Sequence, residues 1–176
     1  MTQLTGEIAR HFREIHFGKN WTWVNLKDSL EDVTWQEAVT QVYSCNTIAA
    51  LLYHINYYVN AALNVLKGGP LTSSDQYSFN HPPVQSQDDW QTMQDKAWRE
   101  AEEFAELVAQ MPEEKLFEIF NDEKYGSYYR NIHGIIEHAH YHLGQIVLLK
   151  KIIRQKDQSS HNANDLTTGG TAKQVG

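Results

Sequence analysis

A single cysteine, Cys45, stands in a chain of 176 residues. No intramolecular disulfide can form, so a disulfide-stapled secreted scaffold is excluded. No run of about 18 apolar residues occurs and no basic-then-apolar leader opens the chain. The expectation is a cytoplasmic protein with no membrane association. Basic residues are also short: 15 Lys plus Arg against 22 Asp plus Glu leave a net charge of −7. With no Lys/Arg block, the chain lacks the electrostatic footprint of a nucleic-acid binder. There is no βαβ pattern and no glycine-rich phosphate loop, which argues against dinucleotide and ATP chemistry on those folds. No internal repeat is visible. Proline is scarce, at four, and each one falls where a helical pattern has already stopped.

What remains is long helical periodicity. Leu4, Ile8, Phe12 and Ile15 recur at spacings of four and three, a single buried stripe that ends at Gly18. Thr34-Trp35-Gln36-Glu37 is a capping box and predicts a short helix. A second long helix spans about Asn46 to Lys67, capped by Asn46 or Thr47 and ended by Gly68-Gly69-Pro70. The irregular segment Leu71 to Gln85 is long for a compact domain and reads as a crossover or a functional loop. Ser86 starts a third long helix with the stripe Trp90, Met93, Ala97, Ala101, Phe104, Val108 and Met111, ended by Pro112. A fourth follows Gly126-Ser127 and runs to about Gln155. The expectation is an all-α fold, a four-helix bundle over residues 1–155 with a long crossover between its second and third helices. Residues 156–176 are polar, with almost nothing to bury, and predict a disordered tail.

Nine histidines are the unusual presence. At about 100° per residue, with Ile135 taken as the centre of the fourth helix's apolar face, His142 falls near the middle of that face and His138 on its shoulder. His133 and His140 then point outward. The inward pair is spaced i, i+4, so the two imidazoles can converge on one point. The second helix carries one histidine, His54, among the small neighbours Thr47, Ala50, Ala61 and Val65. Two readings stand side by side: satisfied core histidines, or a divalent metal held by His54, His138 and His142. Three neutral imidazoles without a thiolate suit zinc, nickel, copper or iron and leave a coordination position open. The residue after His138 is Ala139 and not Glu, which disfavours a zinc peptidase.

His138-Ala139-His140-Tyr141-His142-Leu143-Gly144-Gln145-Ile146 resembles the His-x-x-x-His-x-Gly-Gln signature of the DinB/YfiT-like superfamily of metal-binding bundles. Asn46-Thr47-Ile48 leading to Leu52-Tyr53-His54 is similar to the family's second-helix histidine. Phe17-Gly18-Lys19-Asn20-Trp21 and Tyr77-Ser78-Phe79 before Pro82-Pro83 resemble a subset of members. The resemblance covers roughly Gly6 to Lys151. It implies a three-histidine site at His54, His138 and His142, up-down-down-up topology and homodimers. It also implies a divalent ion such as zinc, nickel or iron, and activity as a metal-dependent hydrolase or as a transferase using low-molecular-weight thiols. The alternative is a metal- or ligand-binding bundle without catalysis.

Other residues are candidates for the surroundings of such a site. Gln145 lies on the His138 side and is placed to orient a ligand. His81, beside Pro82-Pro83, is a candidate fourth ligand or proton carrier. Tyr57 and Tyr58 are candidate proton donors. Trp21 is a candidate for the pocket mouth, with core or dimer packing as the alternative. Gly144, costly within a helix by about 1 kcal/mol, predicts close approach of another helix or subunit. Cys45 reads as a small buried hydrophobe.

Overall fold

The computed structural model describes residues 3–168, with side chains described through 156. Among these residues the protein is helical, without a strand; one isolated bridge joins Ile119 and Ser127. Four helices are long: α1 (Leu4–Phe17), α4 (Ile48–Leu66), α5 (Gln87–Gln110) and α6 (Tyr128–Thr168). Two short ones, α2 (Leu26–Leu30) and α3 (Trp35–Val39), lie in the connection between α1 and α4. Of the expected tail, 156–176, residues 156–168 continue α6, and residues 169–176 are outside the described residues altogether.

Side-chain caps set the helix starts. Thr34 accepts from the Glu37 amide while the Glu37 carboxylate accepts from the Thr34 amide, so both halves of the capping box form. Thr47, rather than Asn46, caps α4 by accepting from the Ala50 amide. Ser86 caps α5 by accepting from the Asp89 amide. At the far end of α4, Gly68 takes φ +85°, the left-handed conformation that a side chain resists.

The long helices close a ring of neighbours: α1 against α5, α5 against α4, α4 against α6, and α6 against α1. Phe12, Ile15, Leu51, Ile55, Trp90, Phe104 and Ile132 are fully enclosed between them. Trp90 combines burial with a satisfied indole, its Nε1–H donating to the Val33 carbonyl at 2.9 Å. That bond ties α5 to the α2–α3 connection. Arg154 on α6 grips the same connection, bonding Asp32 and Glu37 at 2.7 Å each. Hydrogen bonds from Arg154 first and Lys150 second lower the Asp32 carboxyl to about 2. No described helix is long and apolar enough to cross a membrane.

The segment between α4 and α5 does not swing free. A 3-10 turn at Asp75–Tyr77 folds it back over α4. The Ser74 amide donates to the Tyr57 hydroxyl at 2.8 Å, and the Tyr58 hydroxyl donates to Asp75. Two consecutive tyrosines of α4 therefore pin the strap above the third turn of that helix.

Candidate metal centre

His54 of α4 meets His138 and His142 of α6 where the two helices pack. Their rings form a near-equilateral triangle, with centroids 4.8 Å from His54 to each partner and 4.5 Å between the pair. One nitrogen from each lies within 4.8 Å of the others, a grouping able to hold a metal ion. His54 and His142 are buried and His138 is half-buried. Burial first, and the mutual repulsion of their charged forms second, pushes His138 down to about 4 and His54 below its ordinary value. Burial lowers His142 as well, against the opposing pull of Gln145. All three are therefore neutral near pH 7, the form that offers a lone pair.

The donor set fits a divalent ion on two further observations. The His142 Nδ1–H donates to the Gln145 Oε1 at 2.7 Å, and since a carbonyl oxygen only accepts, this selects the tautomer with a free Nε2 lone pair. Gln145 thus occupies the orienting position expected from its helix face. His54 Nδ1 is buried without a well-formed hydrogen bond, although the Ser78 backbone lies close enough to favour its protonated form. Phe79 from the strap stacks on one face of the His54 ring, at 3.8 Å and 6°. Tyr58 stands edge-on to both His54 and His138 at 5.1 Å.

Beside the triangle opens a cavity of about 430 Å³. His54, Tyr58 and His138 form its inner end, and Arg130, Gly134 and Glu137 extend it along α6. Phe79 and Asp75 carry no spacing signal in the sequence, whereas Arg130 stands two four-residue steps before His138 and Glu137 directly precedes it.

The remaining predicted residues fall as follows. His81 is not one of the three: its Nδ1–H donates to the Pro82 carbonyl at 2.7 Å and its ring faces Tyr53 at 6.1 Å. Tyr57 is committed to the Ser74 backbone. Tyr58 is pushed up to about 12 by burial and by its bond to Asp75, so it remains a phenol at neutral pH. Trp21 is 95% exposed and does not line the cavity. Cys45 is exposed, contrary to the buried expectation, because it precedes the first turn of α4 instead of entering the core. Gly144 has open space above it, so among the described residues no helix requires its lack of a side chain.

His140 corrects the sequence expectation. It is half-buried, with Nε2 enclosed and without a hydrogen-bond partner. Its ring faces His11 at 6.1 Å. The buried arc of α6 centres on Ile132, Ile136, Ala139, Leu143 and Ile146, not on Ile135, which is only half-buried. From that centre His138 and His142 lie about 80–120° to one side, toward α4, and His140 about 80° to the other, toward α1. The arc is wide because α6 packs against two helices at once. On α1, His16 is itself buried, its Nδ1–H donating to the Phe12 carbonyl at 3.0 Å. His133 stays near the surface, donating to the Tyr129 carbonyl. His161 lies outside the described side chains.

Compared with protein-family models, curated proteins and solved structures, the chain matches none.

Proposed function

We propose that this chain is a DinB/YfiT-like metalloprotein, a metal-dependent enzyme acting on a small electrophilic substrate. His54, His138 and His142 hold one divalent ion, of zinc, nickel or iron type. The proposal includes up-down-down-up order of the long helices, a homodimer and a cytoplasmic setting. The observation that supports it is the convergence of three neutral imidazoles from two helices, two of which, His54 and His138, line a solvent-reached cavity. An ion with three protein ligands supplies Lewis acidity and lowers the pKa of a bound water or low-molecular-weight thiol.

The protein's own part is positioning. Gln145 keeps the His142 ring in one tautomer and one orientation. Phe79 and Tyr58 wall the His54 and His138 rings, shielding them from bulk water. Glu137, on the same cavity, is the carboxylate nearest in sequence to the site and is able to accept a proton from a bound nucleophile.

The test is metal analysis of tag-free protein, wild type beside His142→Ala. One equivalent in wild type and loss in the variant is expected. Equal metal content in both would remove the site. A screen of small thiols and hydrolysable electrophiles then tests turnover. A second reading, a binding protein without catalysis, draws on the strap: Phe79 covers one face of the site and two tyrosines hold the strap closed. Stoichiometric metal with no metal-dependent turnover across the screen favours that reading.

A further inference from the structure

The cavity that ends at the histidines is not uniform along its length. Arg130, Gly134 and His138 follow one another at four-residue intervals, so they form one ridge of α6 facing the same space. Arg130 and His138 are separated by about 12 Å along the helix axis. The Arg130 guanidinium is braced from behind, Nη1–H donating to the Tyr125 carbonyl at 2.8 Å. Arg10, Arg13 and Arg154 are each paired with carboxylates; among the described residues no carboxylate pairs with Arg99 or Arg130, and of these two only Arg130 lines the cavity. Its remaining donors are therefore available at the far end of the cavity.

Between cation and histidine the floor is bare. Gly134 sits in the second turn of α6, inside the helix, where glycine weakens it. A Cβ placed on it meets nothing within 4 Å. Helix packing therefore does not explain the missing side chain; any side chain there would stand in the cavity. Glu137 lies at the histidine end of the same space, likewise without a cationic partner among the described residues. The cavity thus runs from negative beside the histidines to positive at its far end.

We propose that this cavity takes an elongated small molecule whose reacting end lies at His54 and His138, whose middle crosses Gly134, and whose far end carries a carboxylate- or phosphate-type anion held by Arg130. Glu137 discriminates against a second anion near the reacting end. This assignment rests on the three-histidine reading above, and names its substrate class.

The test uses the cobalt-loaded full chain and reads probe binding from the thiolate-to-cobalt charge-transfer absorption. The probes are ω-mercaptooctanoate, ω-mercaptooctylphosphonate, ω-mercaptooctanol and the short ω-mercaptopropionate. The expected result is that at least one long anionic probe binds about tenfold tighter than the equally long alcohol. Whichever of carboxylate and phosphonate binds tighter identifies the anion. Arg130→Gln should abolish the preference, bringing the long anionic probes to the affinity of the alcohol. Gly134→Leu should weaken every long probe and spare ω-mercaptopropionate, at unchanged cobalt content and helical circular dichroism. Equal affinity of acid, phosphonate and alcohol in wild type, or a preference that survives Arg130→Gln, would overturn the assignment and leave the metal centre standing. Failure to take up cobalt would overturn both, and cobalt uptake with no charge-transfer band from any probe would overturn the assignment while leaving the metal centre standing.

Discussion

Phe79 lies flat on His54, ring centres 3.8 Å apart and planes within 6° of parallel. One ring belongs to α4 and the other to the strap that follows it. The contact therefore makes the orientation of a candidate ligand depend on a loop. A stacked ring pair is worth about 0.5–1.5 kcal/mol. Phe79→Ala should weaken metal binding by about two- to tenfold, measured by competition with a chromophoric chelator, while Phe79→Tyr keeps most of it. Unchanged affinity in the alanine variant would show that the stack does not orient His54.

Gln145 acts on the other side of the site. Its Oε1 is the partner that selects the His142 tautomer. Loss of such an orienting partner costs about 10–100-fold in metal affinity. Gln145→Leu should show that loss and Gln145→Glu, which keeps an acceptor, should recover it. A leucine variant with wild-type affinity assigns Gln145 to the surface alone.

Acid should release the ion, at a lower pH than free imidazole implies. Binding needs neutral rings, and burial keeps His54, His138 and His142 below their ordinary values, His138 at about 4. Metal content after gel filtration should be full at neutral pH and fall well below one equivalent at about pH 4. Full retention there contradicts a site made of three imidazoles.

His16 links stability to pH independently of any metal. Burial lowers it to about 4 in the folded protein, against 6.5 for the free side chain. The unfolded chain thus binds the proton more readily. This stabilising contribution is complete above pH 6.5 and is lost as pH falls toward 4, by up to about 3 kcal/mol. The urea midpoint should drop over that window, and the His16→Leu variant should show a flatter profile. Parallel profiles for the two proteins would rule His16 out as the source.

The caps at Thr34, Thr47 and Ser86 and the stripe from Trp90 to Met111 were legible in the sequence because helix signals are local and periodic. The His138–His142 pair was legible for the same reason: four residues is one turn. His54 belongs with them only through packing of α4 on α6, which no spacing encodes; there the sequence offered a residue type and a neighbourhood of small side chains. His140 was misplaced because a single apolar stripe was assumed for a helix with two neighbours. Phe79 and Asp75 lie in an irregular segment whose return to the bundle is a long-range event, so no periodicity marks them; Arg130 shares the four-residue step of Gly134 and His138, but that step does not show that a cavity lies along it. The absence of a side chain at Gly134 is legible as a letter, but its meaning needs the space above it.

The three histidines come from helices with the whole of α5 between them in the chain. An ion shared by His54 and His138 closes a loop of most of the protein's middle. In a chain whose single cysteine bars any internal disulfide, such an ion would be its one cross-link between α4 and α6. Unlike a covalent staple, it would stabilise by binding the folded arrangement alone, through bonds that proton or chelator undoes. Thermal stability should therefore rise with free metal concentration, making the docking of α4 on α6 a titratable quantity.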